Sequence, residues 1–106
     1  MTTKITVANV SNLKNAAVNW EVKTSSFTAE AGYGYFINSS GGAITATLPA
    51  TAVVGDTVYL SIITAGNDVT VDRNGHNIDG DASNKTMQND GDMKQFVFVN
   101  ATEGFK

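Results

Sequence analysis

The segment GYFINSSGGAITATLP, residues 34–49, sets the pattern for the whole chain. Its second half places apolar side chains on alternate positions, at Ile44, Ala46 and Leu48, with threonines between them. A period of two puts the apolar side chains on one face of a strand and the threonines on the other. The Ser39–Gly42 segment before it holds two adjacent glycines, which tolerate the positive φ of tight hairpin turns. The segment therefore predicts two β-strands joined by a tight turn.

Short strand patterns recur along the rest of the chain, with turn signals between them. They cover Val18–Lys23, Gly34–Asn38, Ala43–Leu48, Thr57–Thr64, Asp68–Asp72, Asn84–Gln88 and Met93–Asn100. The turn signals include Ala65-Gly66-Asn67, Asn74-Gly75 and Asn89-Asp90-Gly91. Strands spaced about ten residues apart in this way are typical of all-β sandwiches and barrels. We therefore predict an all-β fold, a small antiparallel β-sandwich or barrel-like module in a single domain with an N-terminal arm.

Two of these strands carry prominent aromatic residues. In VNWEVK, Val18–Lys23, the alternation predicts a half-buried strand whose tryptophan, Trp20, points into the core. The run QFVFV, Gln95–Val99, is apolar on both faces, which predicts a strand covered on both sides.

The composition excludes several classes of protein. The 106 residues are enough for one domain with one modest core. The net charge is -3 and there is no basic block, so the electrostatic signature of a nucleic-acid binder is missing. Because there is no cysteine, neither a disulfide framework nor a thiolate metal site can form. No apolar run approaches the roughly 20 residues of a membrane-spanning helix, so no membrane insertion is expected.

The most polar stretch is VDRNGHNIDGDAS, Val71–Ser83. A calcium loop of the EF-hand type needs glycine at position six and glutamate at position twelve, and this stretch has neither. The aspartates Asp72, Asp79 and Asp81 leave open a looser calcium site. The alternative is a pair of tight turns, in which Asx side chains cap their own backbone.

No motif in the chain predicts catalysis or a cofactor. His76 is the one histidine, and a general base or zinc ligand needs partners that the sequence does not supply. We expect it to pack in a turn or face solvent. No G-x-S-x-G motif occurs, and no helix pattern follows Gly32-Tyr33-Gly34 to bind a pyrophosphate. A hydrolase using acidic residues such as Asp79 and Glu103 is the least favoured reading, since any small acidic protein offers such pairs.

Aromatic residues offer a further interpretation. Tyr33, Tyr35, Phe36 and Tyr59 could form a platform for stacking sugars or bases, or they could belong to the core and a subunit interface. Tyr33 lies between two glycines and is therefore the strongest candidate for an exposed ring.

Four segments, read in order, resemble a known module. They are FTAEAGYGYFINSSGGAITATLPA, GDTVYL, NDVTVDRNGHNIDGDAS and FVFVNATEGF, between Phe27 and Phe105. They are similar to the small β-module of tailed-phage virion proteins, especially those of cyanophages. That module has a G-G-A-x-T-V-T-L-P-A segment, then G-D-x-V, T-V-x-R-N-G-x-N-I-x-G and A-T-x-G-W. The chain departs from it at Phe105, where tryptophan is common, and at Ala46, where valine is common.

The resemblance implies a structural role for these segments. Its members are tail-fibre, baseplate or other virion-surface proteins, often trimers, and they work without cofactors. In such a protein Asn74-Gly75 forms a tight turn and Ile78 returns to the core. The resemblance therefore implies a non-enzymatic virion protein whose partners are its own copies and other capsid or tail proteins.

The residues before the resemblance suggest how such a module could attach. Residues 1–19 are interpreted as an arm and 20–106 as the module. Low charge in the arm, with Ile5, Val7, Val10 and Leu13, would let it pair as an added strand with a neighbouring subunit. A terminal strand that is frayed or packed on its own chain is the alternative.

Two functions follow as hypotheses. The first is a self-assembling tail-fibre or capsid-decoration protein, with interface candidates at Trp20, Tyr35, Phe36, Phe96 and Phe98. The second is a module at a fibre tip that binds host surface glycan through loop residues, with candidates at Tyr33, His76 and Asn77.

Overall fold

The computed structural model describes residues 18–106, which form an all-β fold of two packed sheets, as predicted. The strands within these residues are β1 (Asn19–Lys23), β2 (Phe27–Thr28), β3 (Tyr33–Asn38), β4 (Ile44–Thr47), β5 (Thr57–Thr64), β6 (Val69–Asp72), β7 (Lys85–Met87), β8 (Met93–Asn100) and β9 (Gly104–Phe105). Sheet A has the order β1-β3-β5-β8-β9, and sheet B has the order β2-β4-β6-β7.

The first six strands alternate between the sheets, so the chain winds as a coil. In sheet A, β3 pairs in parallel with both β1 and β5. In sheet B, β4 pairs in parallel with both β2 and β6. Each turn of the coil contributes one strand to each sheet, and parallel neighbours are separated by a whole turn, as parallel pairing requires.

The last three strands close the C-terminal end of this coil with reversed direction. β7 pairs antiparallel with β6, β8 with β5, and β9 with β8. The sandwich is thus mixed, and among the described strands each antiparallel pair includes β7, β8 or β9, whereas we predicted antiparallel pairing throughout. The difference arises because strands that follow each other in sequence mostly lie in different sheets and do not pair.

The glycine-rich connections explain this difference. The Ser39–Gly42 segment joins β3 in sheet A to β4 in sheet B, so it is not the hairpin turn that the sequence predicts. The next turn of the coil stacks directly on it. A Cβ on Gly66 would lie 2.7 Å from the Cα of Ser40, so glycine is required there by close approach. The buried Ser39 hydroxyl donates to the Asn67 carbonyl at 2.7 Å and links the two turns.

The core lies between the sheets and is built from alternate residues of each strand. Ile44, Ala46 and Leu48 are all buried, which confirms the alternation predicted for β4. Its members in sheet A include Ile37 and Leu60, which are fully buried. The core also includes Tyr35, Val58, Ile62, Val69, Val71, Ile78, Phe96 and Phe105.

Two predictions about sheet A are wrong. Trp20 does not point into the core, since its side of β1 faces outward and it is 39% exposed. β8 is covered on one face only, because Phe96 and Phe98 are buried whereas Val99 is exposed. In both strands most of the outward positions are apolar, and the sequence pattern alone cannot tell an exposed apolar face from a buried one.

The predicted attachment arm, residues 1–19, lies almost entirely outside the described residues. Only Asn19 of that segment falls within a described strand, since β1 begins there. The arm and its proposed pairing with a neighbour therefore remain predictions.

Candidate functional site

The polar stretch folds as two tight turns. The first has Asn74 with φ 49° and Gly75 with φ 87°, and the second has Asp79 with φ 53° and Gly80 with φ 81°. Positive φ at both central residues is the geometry that Asn-Gly and Asp-Gly pairs favour. The Asp72 carboxylate caps the first turn by accepting a hydrogen bond from the Asn74 N–H at 2.8 Å. The interpretation as two tight turns is confirmed, and an Asx cap is confirmed for the first of them.

The second turn returns the chain to the core. Ile78 is fully buried and bridges to Asp81 across the turn. It also bridges to Phe105 of β9, so the turn is anchored to the C-terminal strand. The burial implied for Ile78 by the resemblance is confirmed.

His76 packs between aromatic rings and the β4–β5 connection. Its ring meets Phe98 and Phe105 edge to face, with centroids 5.3 Å and 5.4 Å away. Its Nε2 lies 2.9 Å from the Pro49 carbonyl and 3.0 Å from the Ala50 carbonyl. Both partners are acceptors, so Nε2 carries the proton and donates. His76 therefore holds two loops together, as a turn-packing histidine.

Asn77 is likewise used within the fold. Its side-chain amide donates to the Thr102 carbonyl at 2.8 Å, and its own carbonyl accepts from the Phe105 N–H at 2.9 Å. Gly104 passes so close that an added Cβ would collide with the Asn77 carbonyl oxygen. The segment around Asn77 is thus tightly bonded to the C-terminal strand.

The acidic residues of the stretch do not converge. Asp72 caps the first turn, whereas the Asp79 carboxylate lies 4.0 Å from the Lys94 ammonium. Within residues 18–106, no group of three or more histidine, aspartate or glutamate side chains is close enough to hold a metal ion. The structure thus shows no ligand set for the looser calcium site considered at Asp72, Asp79 and Asp81.

Tyr33 and Tyr35 lie on the inward side of β3. Tyr35 is 2% exposed, and its ring contacts those of Phe27 and Tyr33 at 4.6 Å and 6.0 Å. Burial raises the pKa of the Tyr35 phenol, against the opposing effect of the Glu30 N–H, which donates to its oxygen at 2.9 Å. Tyr33 is half-buried against the core, so its ring is less exposed than its flanking glycines suggested.

A charged pair covers the N-terminal end of the core. Lys23 and Glu21 lie 3.2 Å apart on the inward side of β1. The Lys23 ammonium is 5.5 Å from the ring centre of Phe27 and 5.9 Å from that of Tyr35. Inward-pointing charges on an edge strand are a common protection against strand-to-strand aggregation. The pair therefore disfavours end-to-end stacking of the coil at this edge.

The outward side of sheet A carries an aromatic cluster instead. The Trp20 ring stacks on Phe36 with centroids 4.4 Å apart and lies 5.9 Å from Tyr59. Gly34 makes room for it, since a Cβ there would lie 2.6 Å from three carbons of the indole. The indole thus lies over the backbone of the sheet beside Phe36, and Trp20 remains 39% exposed.

Apolar side chains extend from this cluster across four strands, β1, β3, β5 and β8. Those that are clearly exposed are Trp20, Val22, Ile63, Met93 and Val99, and those half-buried between them are Phe36, Tyr59 and Val97. We call these eight residues the apolar face. The remaining outward positions of these strands are glycine or uncharged polar residues: Gly34, Asn38, Thr57, Ser61 and Gln95. The outward side of these strands therefore carries no charge.

The structure separates the predicted interface residues into two groups. Trp20 and Phe36 belong to the apolar face. Tyr35 and Phe96 are 2% and 1% exposed, and Phe98 is also buried, so these three stabilise the protomer and are not available as surface. The sequence does not predict Val22, Ile63 and Met93 as site residues, because alternation does not show which side of a strand is exposed.

A cavity of about 380 Å³ opens beside the start of β1. Its walls come from Val18, Ala31, Gly32, Gly55, Asp56, Thr57 and Tyr59. The Asp56 carboxylate accepts a hydrogen bond from the Val53 N–H at 3.0 Å and so caps its own loop. Tyr33, His76 and Asn77 do not line this cavity.

No protein-family model matches the chain, and a search of the curated proteins finds no significant match. Within residues 18–106 the structure has no helix of the length and apolar character needed to cross a membrane.

Proposed function

We propose that the chain is a non-enzymatic structural protein of a tailed-phage virion, a self-assembling surface module of the tail-fibre or capsid-decoration type. Its partners are then its own copies, as a trimer, and neighbouring capsid or tail proteins. The observation that carries the proposal is that the segments resembling the phage module form the core and the turns of the sandwich.

Each of these segments serves the packing of the sandwich. The G-G-A-I-T-A-T-L segment supplies core residues in β4, such as Ile44, and directly after it, at Leu48. The R-N-G-x-N-I segment supplies the tight turn at Asn74 and the buried Ile78. The A-T-x-G-F segment ends in Phe105, which is fully buried in the position where the module commonly has tryptophan. A scaffold in which the shared segments supply core residues and turns fits a protein that works by assembly.

The polar residues of the stretch Val71–Ser83 support the same proposal. His76 and Asn77 direct their side chains to backbone carbonyls of the same chain. These hydrogen bonds fix the stretch to the β4–β5 connection and to the β8–β9 turn, which suits a particle component that has to stay folded outside the cell.

The glycan-binding alternative is weakened at its original candidates. Tyr33 packs against Tyr35, and the side chains of His76 and Asn77 are engaged in the fold. The observation that still favours it is the partial exposure of the indole of Trp20. Binding of oligosaccharide at that ring, measured by quenching of the fluorescence of this single tryptophan, would support the alternative.

The proposal is tested on particles. Antibodies raised against the purified chain are applied to tailed-phage particles banded from the lysate of a culture that carries the gene. We expect a fixed number of copies per particle, retained through a second round of banding, and antibody labelling at one location. A protein that is abundant in the lysate but absent from banded particles would contradict the proposal.

A further inference from the structure

We infer that the apolar face of sheet A is the surface through which copies of this chain associate. The inference rests on the proposed function, in that it names the surface used for self-assembly. Its occupant is a further copy of the same chain, and the apolar faces of the copies meet at the centre of the trimer.

The outward positions of the strands under the apolar face carry no charged residue. The chain has 17 charged residues, 7 basic and 10 acidic, yet none occupies the outward positions of β1, β3, β5 and β8. Like charges that meet across an interface oppose association, and a protein partner of opposite sign would need charges to recognise. A face without charge meets its own copy without this repulsion.

The aromatic cluster of Trp20, Phe36 and Tyr59 is already ordered by contacts within one protomer. The indole of Trp20 is held flat by Phe36 on one side and by the backbone at Gly34 beneath. Side chains that are already ordered lose little conformational entropy on binding. Tryptophan and tyrosine near the centre of an interface commonly supply most of its binding energy.

The area of the apolar face fits the centre of a protein–protein interface. Four strands spaced about 4.8 Å apart and some 20 Å of strand length give the face a footprint of roughly 300–400 Å². A standard interface buries about 800 Å² on each partner, with an apolar centre inside a polar rim. The apolar face is the right size to be that centre, and Asn38, Ser61 and Gln95 provide polar groups on the same strands.

The opposite side of the sandwich provides an internal comparison. The outward positions of sheet B carry threonines at Thr28, Thr45, Thr47, Thr70 and Thr86. They lie on the same kind of strands but expose hydroxyls, so charge substitutions there should leave association unchanged.

The test uses the full chain and light scattering on a size-exclusion column over a hundredfold range of concentration. Wild type is compared with a face variant, V22E with M93E, and with a matched control, T28E with T86E. All four positions point outward and are exposed. We expect wild type and control to share one multimeric mass. The face variant should elute at the mass of one protomer, 11.1 kDa, with circular dichroism unchanged.

A second measurement covers the case in which the face variant fails to fold. Because the chain has no cysteine, Met93→Cys and Thr86→Cys each introduce a single thiol. In the multimer we expect a maleimide to label position 93 at least tenfold more slowly than position 86. Equal labelling rates would contradict the inference.

The outcomes separate this inference from the proposed function. A multimer that survives both pairs of substitutions overturns the inference, while self-assembly stands. A face variant whose thermal midpoint falls with its multimeric mass unchanged means that the face is covered within one protomer, which also overturns it. A wild type that stays monomeric overturns the inference, and the particle experiment then decides the proposed function. Oligosaccharide quenching of Trp20 in a monomer would assign the face to a glycan instead.

Discussion

The two outward surfaces of the sandwich differ, although the strands beneath them are built alike. In both sheets, parallel strands direct alternate residues into one shared core. Outward, sheet A exposes the apolar face and sheet B exposes threonines. Across sheet B, Thr45 pairs with Thr70 and Thr70 with Thr86, which makes a row of hydroxyls. The inward residues thus specify the fold, and the outward residues leave one surface suited to water and the other suited to association.

Substitutions in the shared core should cause the largest losses of stability. These losses should be similar for the two sheets. Ile62 of β5 and Ile44 of β4 are 1% and 2% exposed. We expect Ile62→Ala and Ile44→Ala each to lower the free energy of unfolding by about 2–5 kcal/mol, since each removes buried methyl groups and leaves a cavity. Urea unfolding at one fixed protein concentration measures this. A large loss of stability for one sheet and almost none for the other would contradict the view that both sheets share one core.

The next effect should be confined to sheet A. In Gly34→Ala the added Cβ would lie 2.6 Å from the indole of Trp20, so the ring has to leave the sheet and Phe36. We expect a loss of about 1–3 kcal/mol, the usual range for overpacking. The emission of the single tryptophan should shift to longer wavelength as the ring becomes more exposed to water.

Gly42→Ala is the matched control for that change. Gly42 has no positive φ and no atom within 4 Å of an added Cβ. It should leave the emission of Trp20 unchanged and cause no loss of stability. A second check is the Trp20→Ala background, where Gly34→Ala should be nearly neutral. An undiminished loss in that background would show that the indole is not what Gly34 accommodates.

The inward side of sheet A should also respond to high pH. Burial raises the pKa of Tyr35, so the fold favours its neutral phenol. This contribution is present below the ordinary tyrosine pKa of about 10 and is lost as pH rises through the raised value. We expect Tyr35→Phe to lower stability by about 1 kcal/mol at neutral pH, through loss of its hydrogen bond. Above pH 10 the difference from wild type should shrink or reverse.

Urea unfolding of both proteins between pH 7 and pH 11 checks the Tyr35 prediction. Other tyrosines and lysines titrate in the same window, but they are common to both proteins and cancel in the difference. Two stability curves that stay parallel throughout would show that Tyr35 ionises no differently in the folded chain.

Local features of the fold could be predicted from the sequence because they depend on neighbouring residues. The alternation in β4 fixes which side chains are buried, and Asn74-Gly75 has the residues that a turn with positive φ requires. Strand direction could not be predicted in this way. The Ser39–Gly42 segment looks the same whether it turns within a sheet or crosses between sheets, and only pairing with distant strands decides which.

The candidate surface was harder to predict for a related reason. Alternation identifies two faces of a strand, and where both are apolar it does not say which one is inside. In β1, Trp20 and Val22 form the more apolar face, yet Glu21 and Lys23 take the inward side. They can do so because β1 is the edge strand of this sheet within residues 18–106, and there the charged ends of long side chains reach solvent beyond the core.

The smallest change in stability should come from making sheet B resemble sheet A. Thr45→Val with Thr70→Val removes two outward hydroxyls that have no hydrogen-bond partner among the described residues. Valine keeps the shape and the strand preference of threonine. We therefore expect the free energy of unfolding to change by less than about 0.5 kcal/mol, as for most surface substitutions.

These two threonine substitutions should instead change the association between copies of the chain. Light scattering should detect species above the wild-type mass, because a second apolar surface gives each copy another place to associate. An unchanged mass would mean that apolar character alone does not drive contact between copies. The flat aromatic stack at Trp20 would then be the feature that makes sheet A different, and Trp20→Ala should dissociate the wild-type multimer as fully as the charged substitutions do.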